Sequence, residues 1–88
     1  MPYFAVSYQL NIDKDYQLLW DELAAIGGQK VMRSFYFLDI DNITAIGLRD
    51  HLMSYIDKDD QLAVVEFSSK PGIFRGFTGT KAWVDARF

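Results

Sequence analysis

Three groups of aspartates stand out among the twelve acidic residues: Asp13 with Asp15, Asp39 with Asp41, and Asp57 with Asp59 and Asp60. Closely spaced carboxylates are hard oxygen ligands, and a Mg²⁺ ion held by them would make a bound water acidic enough to attack a phosphodiester. Each group falls where an apolar run gives way to polar residues. Capping of helices and closing of turns is therefore the favoured reading. None continues into a calcium-loop pattern, and no metal site is assigned. Asp39 is singled out because it closes an apolar run and is expected to approach Gln9, the end of the first strand, at one sheet edge. His51, the one histidine, stands beside Asp50. With no cysteine and no serine in a nucleophile-elbow context, it has no partner for a triad, and a surface or packing role is expected.

A second kind of chemistry is suggested by the bases. Residues 1–69 hold eleven acids and five bases, whereas Lys70, Arg75, Lys81 and Arg87 face only Asp85 in residues 70–88. A basic tail on an otherwise acidic chain can touch phosphates, although solvation or an acidic partner surface is the plainer reading. The run Gly72-Ile73-Phe74-Arg75-Gly76-Phe77-Thr78-Gly79 mixes glycine, aromatic rings and one arginine, a faint signature of base stacking. It lacks the lysine-serine ending of a phosphate loop, so an edge strand and turn is favoured there. Arg33, expected in a hairpin bend, is a further basic candidate. The net charge of −3 and a pI near 4.8 argue against a protein wrapped in nucleic acid.

These residues need elements to position them. Tyr3–Leu10 alternates, with Phe4, Val6, Tyr8 and Leu10 on one side and Tyr3, Ala5, Ser7 and Gln9 on the other, which predicts a strand. Residues 11–15 supply turn and capping chemistry for a helix carrying Tyr16, Leu19, Trp20, Leu23 and Ile26, closed by Gly27-Gly28. Lys30–Ile40 is too β-branched and aromatic for a helix and predicts two strands with a bend near Arg33-Ser34. Asp41-Asn42 is expected to cap a second helix that buries Ile43, Ile46, Leu48, Leu52, Tyr55 and Ile56. Gln61–Phe67 predicts another strand, Ile73–Phe77 a short edge strand, and Thr80–Phe88 a closing helical turn with Trp83.

The order β-α-β-β-α-β predicts an α+β fold, a ferredoxin-like sandwich with a C-terminal extra strand or short helix. All 88 residues are expected to form one domain, with 70–88 a tail that packs on or crosses to a partner subunit. Half of the residues are hydrophobic and 16% are aromatic. A chain this short has little interior to hide them, so a homodimer joined through the open sheet face is expected. No run reaches the roughly 18–20 apolar residues of a membrane span. The absence of cysteine and of a charged-then-apolar leader points to the cytoplasm.

The motifs, taken in order, resemble a known group: the small CRISPR-associated endoribonuclease that serves as a scaffold in spacer acquisition, with the virulence-associated protein D toxins and SinR-like proteins. Ser7-Tyr8-Gln9-Leu10 is similar to the "Ser-Tyr-Asp-Leu" first strand of the SinR-like branch. Asp15-Tyr16-Gln17-Leu18-Leu19 fits its helix start, and Ser34 its hairpin serine. Arg49-Asp50-His51-Leu52 and Ile56–Leu62 fit a later stretch. The resemblance covers about residues 3–67. It implies that an aspartate ending the first strand faces its twin across a dimer, where the pair holds a divalent metal.

Here that position is Gln9. An amide oxygen brings no charge, so a pair of them holds Mg²⁺ far more weakly. The expectation is therefore a non-catalytic dimer that binds protein or nucleic acid. Any nucleic-acid contacts are expected from Arg33, Lys70, Arg75, Lys81 and Arg87. The alternative is a metal-dependent endonuclease, toxin-like, with an atypical site that needs Mg²⁺ and draws on Asp39.

Overall fold

Alternation at both ends of the chain builds the sheet. In a computed structural model that describes residues 3–10 and 16–88, Tyr3–Gln9 forms strand β1 and Gln61–Phe67 forms β4, antiparallel along their whole length. Gln29–Met32 (β2) and Phe35–Leu38 (β3) make the hairpin expected from the Lys30–Ile40 run, with its turn at Arg33-Ser34 and an irregularity in β2 between Lys30 and Met32. β3 lies antiparallel to β1, Phe4 opposite Leu38 and Ser7 opposite Phe35. The result is a four-stranded antiparallel sheet in the order β2-β3-β1-β4.

Helices α1 (Gln17–Ala25) and α2 (Ala45–Met53) cover one sheet face. Leu19 and Leu23 of α1 and Leu48 and Leu52 of α2 bury themselves on Phe4, Val6, Tyr8, Tyr36 and Leu38. Each such side chain taken from water contributes about 1.5–3 kcal/mol. The close of α1 follows the expected chemistry: Gly27 adopts φ +81 and Gly28 donates to the Leu23 carbonyl at 2.8 Å. A Cβ on Gly28 would lie 2.9 Å from a Leu38 methyl, so the glycine also lets the chain pass close to the sheet. The expected start of this helix at residues 11–15, including Asp13 and Asp15, lies outside the described residues.

α2 begins differently from its prediction. Thr44, rather than Asp41-Asn42, is the cap, and its hydroxyl accepts from the Gly47 amide at 3.0 Å. Asn42 instead takes φ 62, a conformation asparagine tolerates, and turns the chain after β3. Ile46, expected on the buried side, is 63% exposed, because it stands two residues from Leu48 on the opposite side of the helix, while Leu48 and Leu52 are buried.

The opposite sheet face is covered by the chain's own tail. α3 (Thr80–Arg87) lays Trp83 and Val84 on Val31 and Phe37, bordered by Tyr3, Ala5, Phe35 and Phe67. The expected edge strand at Ile73–Phe77 does not form: Pro71 lacks a donor, Gly72 and Gly76 favour no strand, and Arg75 sits at φ 62. One ladder-like bond remains, from the Phe77 amide to the Val31 carbonyl at 2.8 Å. α3 covers the end of the face that holds Tyr3 and Phe67. Ser7, Gln9, Gln61, Ala63 and Val65 stay exposed at the other end and along β4.

Candidate functional site

The end of β1 is set by strand register. Gln9 lies opposite Gln61 and Ser7 opposite Ala63 on β4. On the other side, the Tyr8 amide donates to the Ser34 carbonyl at 3.2 Å, which brings the Arg33-Ser34 turn alongside. These residues border a shallow hollow of about 250 Å³ lined by Ser7, Tyr8, Gln9, Gln61, Leu62 and Ala63. Among the described residues, the lining carries no carboxylate. It offers two amides and a hydroxyl, which can orient water or a phosphate oxygen but supply no charge for a divalent cation.

Tyr8, between Ser7 and Gln9 on β1, turns its side chain to the opposite, helical face. Its hydroxyl accepts from Trp20 Nε1 at 2.7 Å and donates to the Arg33 carbonyl at 3.3 Å. Burial pushes its phenol up to about 12, only partly offset by the Trp20 hydrogen bond. Tyr8 therefore stays protonated and acts as a support that ties α1, β1 and the hairpin turn together.

Asp39 is not part of this end. The antiparallel register that sets Phe4 against Leu38 puts Asp39 level with the start of β1, roughly 20 Å from Gln9 over about six residues of strand. The expectation that the two approach one another does not hold. Asp39 instead accepts from Arg87 Nε at 2.8 Å, and the guanidinium stacks 4.2 Å over the Trp83 ring while donating to the Trp83 carbonyl. Arg87, expected among the phosphate contacts, thus fastens α3 to the end of β3. Arg33 is also apart from that groove, in the hairpin turn, where its carbonyl accepts from the Tyr8 hydroxyl.

The remaining three basic candidates come together. Lys70, Arg75 and Lys81 line one groove of about 470 Å³ between the 70–79 segment and α3. Lys81 bridges Asp85 at 2.5 Å, an exposed pair whose hydrogen bond raises the lysine pKa and lowers that of the carboxyl.

Two other sequence candidates resolve into supports. His51 Nε2 meets Glu22 Oε2 at 2.5 Å, and its ring stands edge-on to Tyr55, which clasps α2 to α1. Burial and the neighbouring Glu22 raise the Tyr55 phenol. The carboxylates of Asp57, Asp59 and Asp60 have oxygens within 4.8 Å of one another. The Asp57 amide donates to Asp60 Oδ2 at 2.8 Å, so the group closes the turn into β4 as capping chemistry predicts.

Gln61 was not singled out from the sequence; only the β1–β4 pairing places it against Gln9. Lys30 was missed likewise, its ammonium lying 4.6 Å over the Trp20 ring and 6.0 Å from that of Phe77. No family model matches the chain, and no solved structure gives a significant match. Among the described residues, no helix is long and apolar enough to cross a membrane.

Proposed function

We propose that this chain is a homodimeric, ferredoxin-like binding module of the SinR-like and virulence-associated protein D kind. It holds nucleic acid or protein in the cytoplasm without cutting it. The observation that carries this reading is the neutral end of β1, where Gln9 faces Gln61 beside Ser7 and, among the described residues, the lining of the hollow has no carboxylate. The strand order, with α1 and α2 on one face, supports the ferredoxin-like plan. The dimer is supported by the part of the open face that α3 leaves uncovered, where Val65 is 58% exposed next to Ala63. β4 pairs with β1 alone among the described strands, so its other edge is open to a second chain.

The competing reading, a Mg²⁺-dependent endonuclease using Asp39, loses ground because Arg87 already neutralises that carboxylate. Cleavage assays on RNA and double-stranded DNA with Mg²⁺ or Mn²⁺, and EDTA as control, test the choice. No metal-dependent cleavage is expected, and reproducible cleavage that EDTA abolishes overturns the reading.

A further inference from the structure

The segment between β4 and α3 is anchored at its base and presented to solvent at its tip. At the base, Phe77 donates to Val31, and Gln29 Nε2 reaches the Thr78 carbonyl at 3.0 Å. Gly76 lies so close to Thr80 that a Cβ there would come within 2.8 Å of its side chain. At the tip, Phe74 is 84% exposed and Arg75 stacks its guanidinium 4.9 Å over the Phe74 ring. Arg75 holds φ 62, a conformation disfavoured for any residue with a Cβ. An exposed ring and a strained arginine beside it bring the fold nothing on their own, which points to an external partner.

The surrounding charge says what kind. Lys70, Arg75 and Lys81 line the same groove as Ile73 and Phe77, and Lys30 approaches Phe77 from β2. Among the described residues, Asp85 is the one carboxylate of the lining, and it accepts a hydrogen bond from Lys81. Cations spaced among exposed aromatic faces suit a strand whose bases are splayed, because bases stack on rings while phosphates meet ammonium and guanidinium groups. A duplex keeps its bases inside and cannot use Phe74 in that way. The groove is concave, with its cations on the walls, which suits a threaded strand better than a flat lipid surface.

We propose that the groove between residues 70–79 and α3 binds single-stranded nucleic acid, with phosphates held by Lys70, Arg75 and Lys81 and a base stacked on Phe74, which stands outside the groove lining next to Arg75. This deepens the binding-module reading by naming a partner and a site, and it rests on that reading. The test is fluorescence anisotropy with a short labelled oligouridine and a duplex of equal length, in EDTA at several salt concentrations. The single strand is expected to bind more tightly, with a log–log salt slope of about −2 for three phosphate contacts.

Phe74→Ala is expected to weaken binding roughly tenfold. Arg75→Gly, which suits the backbone at that position, reduces the slope by about 0.7. Lys58→Ala, in the turn before β4, leaves binding unchanged, and circular dichroism checks that every variant is folded. Binding that survives Phe74→Ala unchanged, a preference for duplex, no binding at low salt, or binding only to anionic phospholipid vesicles each overturns the proposal. Because binding is read in EDTA, cleavage seen on adding Mg²⁺ would sink the non-catalytic reading while leaving the groove assignment standing.

Discussion

Gln9 and Tyr8 are neighbours in sequence with opposite duties, and strand alternation separates them. Gln9 points to the open face, where its amide meets solvent and Gln61; Tyr8 points into the helical core, where its hydroxyl joins three elements. Tyr8→Phe removes the acceptor of the Trp20 N–H and is expected to cost about 1 kcal/mol, read as a lower urea midpoint. The pH dependence has a definite sign. Because the folded phenol titrates near 12 rather than 10, its contribution is complete below pH 10 and disappears as pH rises through 12. Tyr8→Phe should therefore flatten the loss of stability between those values, measured by denaturation at successive alkaline pH. A slope equal to the native one would show that Tyr8 is not the group responsible.

Elements were legible where side-chain period and punctuation agreed. β4 has the bounds expected from Gln61–Phe67, the hairpin turns at Arg33-Ser34, and Gly27-Gly28 closes α1. The sequence misled where local chemistry offered two solutions. Asn42 could cap or turn, and it turns; Ile73–Phe77 has strand-like residues, but Pro71, Gly72 and Gly76 break the ladder. α3 was expected as a closing helical turn with Trp83, yet its contact with Tyr3 and Phe37 comes from tertiary packing that no local pattern records.

Trp83 is 8% exposed and its indole N–H has no partner among the described residues. Trp83→Ala is expected to cost about 3–5 kcal/mol through lost packing. Trp83→Phe keeps a ring on the sheet and removes the unsatisfied donor, so its cost should be far smaller. Thermal melts of the two variants distinguish these outcomes, and equal losses would contradict this account of α3.

At the scale of the molecule, three layers form: α1 with α2, the sheet, and α3 over about half of the open face. The uncovered half carries Ser7, Gln9, Ala63 and Val65, a surface in which apolar and neutral groups alternate. Light scattering at micromolar concentration should find a dimer, and Val65→Glu should shift it to a monomer by placing a charge in the buried contact. A native monomer would contradict the pairing. The sequence placed Gln9 at the end of the first strand, because the alternation of that strand is a local feature. It left the company of Gln9 hidden, since Gln61 reaches it only through pairing between distant strands. For the same reason it grouped Arg87 with the phosphate contacts, although Asp39, far off in sequence, claims it.

Whether this chain is the non-cutting module proposed above, and whether Gln9 decides it, can be measured directly. The native protein and Gln9→Asp are compared in one cleavage assay on RNA and double-stranded DNA, with Mg²⁺ titrated. The account predicts that only Gln9→Asp cuts, since paired carboxylates across a dimer would restore a hard oxygen site. Cleavage by the native protein contradicts the central claim, and cleavage by neither contradicts the resemblance that assigns the position to Gln9.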